Sequence, residues 1–121
     1  MDVKELRIGN RVEILGEERV IETISNLPAR GDMYWVGTKG LIDVKMIHVR
    51  PIPLTMDNLE ELGFTYDEST DTFHWKHSHW LRVQMFPKGG GILLISGKQH
   101  TFLDYVHEVQ NVFSTLLKEN L

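Results

Sequence analysis

The chain has 121 residues, of which 41% are hydrophobic and 25% charged, and it contains no cysteine. This is the composition of an ordinary globular protein, and it excludes disulfides, thiolate metal ligands and cysteine nucleophiles. The net charge of −4 disfavours nonspecific binding to nucleic acid, which depends on cations that face phosphates.

Short segments of alternating apolar and polar residues predict a first module near the amino terminus. Five such segments lie between residues 6 and 50, separated by turn signals such as Gly16-Glu17 and the stretch from Gly37 to Gly40. Strands this short favour a small barrel, because closure hides the edges of a sheet. We therefore predict an SH3-like β-barrel over residues 1–50, by analogy of fold alone.

A proline pair separates this barrel from the rest of the chain. Pro51-Ile52-Pro53 predicts a rigid extended joint over residues 51–55, since proline cannot donate to a strand ladder. Thr55 suits a helix N-cap, and Gly63 suits the left-handed residue that follows a helix. A short helix is therefore expected at about 56–62.

The remaining residues predict a second module over residues 56–121. Strand-like segments run from residue 64 to residue 95, and apolar residues at three- and four-residue spacing predict a helix from about 103 to 118 that lies on this sheet. The predicted class is α+β: the barrel, then a helix, a three- or four-stranded antiparallel sheet and a C-terminal covering helix.

The segment His74-Trp75-Lys76-His77-Ser78-His79-Trp80 is predicted to be a hairpin in the second sheet. Side chains alternate between the two faces of a strand, and a two-residue turn at His77-Ser78 makes the two strands bury opposite faces. A three-residue loop over residues 77–79 restores one common buried face. That loop, which we predict, forms two apolar pairs: Trp75 with Leu81, and Phe73 with Val83.

The same alternation leaves a mixed face on the other side of the hairpin. Its predicted members are one indole, three side chains that carry or can carry positive charge, and an amide: Trp80, His74, Lys76, Arg82 and Gln84. An indole among cations suits stacking and charge contacts with a nucleic acid. Tryptophan is more often buried, which favours cover of Trp80 by another part of the chain or by a second subunit. We take Trp80, His74, Lys76 and Arg82 as the candidate binding residues.

Three histidines of the hairpin, His74, His77 and His79, have spacings that suit convergence on a metal ion. Zinc accepts imidazole ligands but is held by four groups in a tetrahedron, and the segment contains no cysteine or acidic residue. Alternation also separates His74, on a strand, from the two histidines of the loop. Solvated loop histidines are favoured over a metal site, and no cofactor is predicted.

Catalytic motifs are absent from the sequence. The stretch from Gly91 to Lys98 departs from a phosphate-binding loop, because five residues separate Gly91 from Gly97 where that motif has four. Gln99 also stands where the motif has the Ser or Thr that binds magnesium. No Gly-x-Ser-x-Gly elbow occurs, and Asp104 and His107 have no nucleophile placed beside them. We therefore predict that the protein is not an enzyme.

Three segments carry a resemblance that runs the whole length of the chain: Lys4-Glu5-Leu6-Arg7-Ile8-Gly9-Asn10, Pro51-Ile52-Pro53-Leu54-Thr55 and Tyr105-Val106-His107-Glu108-Val109-Gln110-Asn111-Val112-Phe113. Together, in this order, they resemble small uncharacterised proteins of phages, prophages and mobile elements of gut Bacteroidetes. The resemblance implies a bacterial or phage origin. It carries no activity and no binding residues.

The sequence favours a non-catalytic protein-interaction module whose partner is another protein or a second copy in a homodimer. The alternative is a nucleic-acid-binding accessory protein that uses the outer face of the 72–86 hairpin, which the net charge disfavours. The first residues lack an apolar signal segment, and no apolar run approaches the ~20 residues of a membrane helix. We therefore expect a cytoplasmic protein without membrane contact.

Overall fold

A computed structural model of the chain describes residues 5–27 and 33–117. These residues form two antiparallel five-stranded sheets and two α-helices, which confirms the α+β class. The chain divides into two compact units. Of the described residues, the first unit comprises those up to Ile52 together with residues 107–117, and the second unit comprises Pro53–Val106.

The first sheet has the strand order β4-β3-β2-β1-β5. Its strands are β1 (Arg11–Ile14), β2 (Glu17–Leu27), β3 (Met33–Thr38), β4 (Leu41–Lys45) and β5 (Val49–Pro51), with a 3₁₀ turn at Met46–His48 before the last. Leu15 and Gly16 join β1 to β2 with φ angles of 54° and 81°, the left-handed pair that a tight hairpin turn requires. The core of this sheet is aliphatic: Leu6, Val12, Ile14, Ile21, Val36 and Val49.

The prediction of a closed barrel for this sheet was wrong. In the described residues β4 and β5 are the two edges of the sheet, and β5 pairs with β1 over three residues, from Val49 to Pro51. β4 and β5 do not pair with each other in the described residues, so the sheet is not closed into a barrel.

The second sheet is a simple meander with the order β10-β9-β8-β7-β6. Its strands are β6 (Phe64–Asp67), β7 (Thr72–Trp75), β8 (Ser78–Met85), β9 (Gly91–Ile95) and β10 (Lys98–Leu103). It therefore has five strands, one more than the upper limit of the three or four predicted. The additional strand is β10, which occupies residues immediately before the predicted helix, and Ser96 and Gly97 join it to β9 with φ angles of 51° and 82°.

Helix α1 (Met56–Leu62) confirms the prediction for this segment. The Thr55 side chain accepts a hydrogen bond from the Asn58 N–H at 3.1 Å, and Gly63 closes the helix in the left-handed region with φ 105°. Leu59 and Leu62 are buried. The second unit thus begins with a helix whose two ends are both defined by local sequence.

Helix α2 (Val106–Leu117) is held by hydrogen bonds to residues of the first unit. Gln110 Oε1 accepts from the Arg11 N–H at 2.8 Å, and Gln110 Nε2 donates to the Gly9 carbonyl at 3.1 Å. Asn111 accepts from the Asn10 side chain at 2.8 Å. The residues from His107 on are therefore grouped with the first sheet, whereas the sequence-based division placed them in the second module. No helix among the described residues is long and apolar enough to span a membrane.

Candidate binding groove

The histidine-rich hairpin turns one residue earlier than the sequence predicted. Lys76 and His77 form a two-residue turn, and Trp75 pairs with Ser78. The register then shifts, so that His74 pairs with Arg82. The predicted three-residue loop was therefore wrong, and the predicted pair of Trp75 with Leu81 does not form.

A bulge in β8 adds the odd number of residues that is needed for the apolar side chains of β7 and β8 to share one face. Three residues of β8, His79 to Leu81, lie between the two registers, after which Phe73 pairs with Val83 as predicted. Leu81 pairs instead with Ile95 on β9. Bulges bend a strand and re-aim its side chains, and this one carries Trp80 at its centre.

Trp80 lies on the face opposite the buried layer, as alternation predicted. Phe73 and Val83 are buried, whereas Trp80 is 71% exposed. Its backbone is held in place: the Trp80 N–H donates to Ser78 Oγ at 3.3 Å, and its carbonyl accepts from the Ser96 N–H at 3.0 Å. The indole is thus exposed to solvent, while the N–H and the carbonyl of its backbone are both hydrogen-bonded.

An open groove of about 670 Å³ lies beside this indole, within the second unit. Its lining combines the indole with an apolar side chain, an arginine and several neutral polar groups: Thr70, Thr72, His79, Trp80, Arg82, Gln84, Leu94, Ser96 and Gly97. This volume is in the range of ligand-binding clefts. The groove is therefore the candidate site.

Arg82 is fixed in the groove by four hydrogen bonds. Its Nε donates to the His79 carbonyl at 2.8 Å. Its Nη1 lies 3.0 Å from Asp67 Oδ2, 3.1 Å from Thr70 Oγ1 and 3.0 Å from Thr72 Oγ1. The guanidinium therefore holds a fixed position and is already paired with a carboxylate.

The carboxylate that pairs with Arg82 belongs to the acidic turn, residues 67–71, which joins β6 to β7. Hydrogen bonds from the Ser69 hydroxyl and from Arg82 lower the pKa of Asp67 to about 2, so this carboxyl is ionised at neutral pH. The pKa of Tyr66 is raised, first because its hydroxyl donates to Asp71 and further because Asp71, Glu68 and Asp67 are negative. The acidic turn therefore holds a concentrated negative charge.

Two of the four predicted binding residues, Trp80 and Arg82, line the groove together. His74 does not line the groove: its ring centroid is 4.5 Å from that of His79, and its Nδ1 is 3.0 Å from the Trp75 carbonyl oxygen. Lys76 does not join them. Its Nζ lies 5.3 Å from the ring of buried Trp75, because the earlier turn carries this lysine away from the outer face.

The three histidines proposed as metal ligands are not brought together. His74 and His79 stack on each other, while His77 lies against Trp75 with ring centroids 5.8 Å apart. Within residues 5–27 and 33–117, no group of three or more metal-ligating side chains is positioned to hold an ion.

The first unit has a smaller groove of about 360 Å³, lined by Leu15, Trp35, Val44, Lys45 and His48. Trp35 is buried there, and Lys45 Nζ lies 5.6 Å from the centre of its ring. The indole face is therefore already occupied, and this groove offers a partner less aromatic surface than the groove at Trp80.

Sequence reasoning missed the residues that hold Arg82, namely Asp67, Thr70 and Thr72. A signal was present for Asp67, because alternation with Phe64 and Tyr66 puts it on the outer face of β6. The sequence also did not indicate that Leu94 and Ser96 line the groove, because their position depends on the register between β8 and β9. That register places Leu94 opposite Arg82.

In comparisons with models of protein families, with curated proteins and with solved structures, no match to the chain was found.

Proposed function

We propose that the protein is a non-catalytic protein-interaction module that binds its partner through the groove at Trp80. The observation that carries this proposal is the indole, 71% exposed beside the half-buried Leu94 on a face of otherwise polar residues. An exposed tryptophan held beside an apolar floor is the type of side chain that dominates binding energy at protein interfaces.

The charge of the groove supports a protein partner over a nucleic acid. Arg82 is the cation of the groove, and its charge is balanced by Asp67 at 3.0 Å. Glu68 and Asp71 add further negative charge in the acidic turn. A phosphate chain needs uncompensated cations, so a nucleic-acid-binding accessory function, which the stacking surface of Trp80 with Arg82 favours, ranks second.

Two of the three hydroxyl groups that line the groove are engaged with Arg82, which supports a non-catalytic role. Thr70 and Thr72 accept hydrogen bonds from the Arg82 guanidinium, and their hydroxyl oxygens lie 2.7 Å apart. Nucleophilic catalysis needs a hydroxyl that gives its proton to a base. Hydroxyls that accept from a guanidinium serve instead to hold it in place.

Charge also favours a different protein over a second copy as the partner. In a two-fold symmetric dimer the same patch faces itself, so pairing centred on the groove would place two acidic turns near each other. A homodimer through the outer sheet face therefore remains the secondary form of the proposal, with sedimentation at high concentration as its test.

Three wider expectations belong to the same proposal. The order β4-β3-β2-β1-β5, with a 3₁₀ turn before β5, supports an SH3-like relationship for the first sheet. The lack of cysteine supports a cytoplasmic location. The three motif segments support a phage or mobile-element origin.

A photocrosslinking experiment tests the proposal. A benzophenone amino acid replaces Gln84, which lines the groove, or Glu60, which lies exposed on α1 and serves as the matched control. After irradiation in cells, adducts are sorted by their sensitivity to protease and to nuclease. We expect a protein adduct from position 84 that is absent from position 60 and is lost when Trp80→Ala is added.

The same experiment separates the alternatives. An adduct of twice the chain mass identifies a homodimer. Adducts destroyed by nuclease, together with salt-sensitive binding of single-stranded DNA or RNA that Trp80→Ala abolishes, would replace the proposal with the nucleic-acid alternative. Identical adducts from both positions would show that the groove has no special role.

A further inference from the structure

We infer that the partner presents a basic extended peptide segment, with an arginine or lysine side chain stacked on Trp80 and the acidic turn beside it. This inference rests on the proposed function and names the chemistry of the partner. It follows from the indole, the charge around the groove and the free polar groups at its rim.

The indoles of this chain provide the first argument. Lys45 lies 5.6 Å from the ring centre of Trp35, and Lys76 lies 5.3 Å from that of Trp75. In the part of the chain that the structure describes, no cation lies over the ring of Trp80, which is 71% exposed. A cation above an indole face is attracted by the ring quadrupole, so the site that the chain fills at its other two tryptophans is left for a partner at Trp80.

Charge complementarity provides the second argument. The acidic turn contributes Thr70 to the groove and carries three carboxylates, of which Arg82 balances that of Asp67. The second unit as a whole has four basic and seven acidic residues. Lys98, which pairs with Ile95 on β9, does not line the groove. A positively charged segment is therefore attracted to the groove, and an anionic one is repelled.

The rim of the groove supports an extended peptide. The side chains of Gln84 and Ser96 are exposed and make no hydrogen bond within the described residues. An amide and a hydroxyl both donate and accept, so they can bond the N–H and C=O groups of a peptide backbone. Leu94 on the floor suits the aliphatic stem of a lysine or arginine.

Fluorescence anisotropy with labelled synthetic peptides tests the inference at pH 7.5. The probes are octapeptides of alternating glycine with arginine, glutamine, glutamate or leucine, and a single-stranded oligonucleotide of similar length. The variants are Trp80→Ala, Trp80→Phe, Glu68→Gln in the acidic turn and Glu60→Gln on α1 as the matched loss of one charge.

We expect the Gly-Arg peptide to bind more tightly than the Gly-Gln peptide, and the Gly-Glu peptide not to bind. Trp80→Ala should abolish binding and Trp80→Phe should weaken it. Glu68→Gln should weaken it about two- to three-fold at low salt, and Glu60→Gln should leave it unchanged.

The remaining outcomes overturn the inference in distinguishable ways. If the Gly-Leu or Gly-Gln peptide binds best and needs Trp80, the basic partner is wrong and the interaction module stands. If Gly-Arg binding ignores Trp80→Ala, the contact is nonspecific and the inference fails. If the oligonucleotide alone binds, both the inference and the proposed function fail. If no probe binds, the basic peptide is rejected while the crosslinking result still decides the function.

Discussion

The two sheets of this protein have the same number of strands but use their aromatic residues in opposite ways. In the first unit the core is aliphatic, and Trp35 is buried beneath Lys45. In the second unit Trp75 is buried in the same manner, while Trp80, five residues later, is exposed on the other face. The difference arises from one bulge, which shows how a local change in register turns a large aromatic side chain from the core to solvent.

The two units also differ in how their helices are held. Helix α1 is defined by its own caps and by apolar residues, Leu59 and Leu62. Helix α2 is joined to the first unit by amide side chains, Gln110 and Asn111, that bond to backbone and side-chain groups near β1. Polar attachment is sensitive to the loss of one partner, because the other is left without a hydrogen bond.

The largest expected effect comes from Gln110→Ala, which tests this attachment. Gln110 is buried and serves both the Arg11 N–H and the Gly9 carbonyl. Leaving two such groups unpaired costs about 1–3 kcal/mol each, so we expect a loss of about 2–6 kcal/mol in urea unfolding. Hydrogen exchange should show faster exchange of β1 amides and unchanged exchange in β8.

Thr115→Ala is the control for Gln110→Ala on the same helix. It removes two exposed hydrogen bonds, one from Arg7 at 3.1 Å and one to the Asn111 carbonyl at 2.9 Å, and we expect a change within about 0.5 kcal/mol. Equal loss of protection in both sheets after Gln110→Ala would contradict the grouping of α2 with the first unit.

Gly91→Ala is expected to have the next largest effect, because it tests how closely the strands of the second sheet approach. A Cβ at Gly91 would lie 2.7 Å from the Gln84 carbonyl oxygen, a backbone atom of the adjacent strand. Relieving this contact requires β8 and β9 to separate, at a cost of about 1–3 kcal/mol. Thermal unfolding measures the loss.

Gly37→Ala is the matched change in the first sheet. Its Cβ would clash with Oγ1 of Thr23, an exposed residue whose side chain can rotate away. We expect a smaller loss, and recovery when Thr23→Ala is added. A greater loss at Gly37 than at Gly91 would show that the first sheet is the more rigid of the two.

A smaller effect is expected from the titration of His107 in the first unit. Burial lowers the pKa of this imidazole, against the carboxylates of Glu108 and Glu5, which raise it. The unfolded chain therefore takes up a proton near pH 6.5 while the folded chain does not. Stability is complete above that pH and declines as the pH falls towards the lowered pKa.

Urea unfolding between pH 5.5 and 8 tests this pH dependence in the wild type and in His107→Gln, which cannot titrate. The slope below pH 6.5 should be smaller in His107→Gln. His77→Gln, at an exposed turn position, is the control and should keep the wild-type slope. If the two variants behave alike, another group is responsible.

Local signals predicted those parts of the fold that depend on neighbouring residues. Thr55 and Gly63 define both ends of α1, and alternation placed Phe73 opposite Val83. The strand β10 was missed because its sequence, Lys98–Leu103, is mostly polar and lies exposed at a sheet edge. An edge strand needs few apolar residues, so periodicity alone does not reveal it.

The sequence predicted which face of the hairpin carries the candidate site, but it did not predict the groove that lies there. Alternation identified Trp80 and Arg82, since it depends on β8 alone. Lys76 was misplaced because two arrangements bring the same faces of β7 and β8 together. One is a three-residue loop, and the other, which forms, is a two-residue turn followed by a bulge in β8. The partners of Arg82 were missed because Asp67 lies on β6 and Thr70 in the turn that follows it, while β7 separates β6 from β8. Sequence spacing does not specify such a contact.

The smallest expected effect on stability is that of Trp80→Ala, and it is the sharpest test of the contrast between the two units. An exposed side chain outside the core should change the free energy of unfolding by less than about 0.5 kcal/mol. Because Trp35 and Trp75 are buried, the fluorescence emission of the variant should shift to shorter wavelength as the one solvent-exposed indole is lost. A large loss of stability would mean that this indole is covered within the chain. A loss that grows with protein concentration would mean that a second copy covers it, because association stabilises a folded chain by mass action.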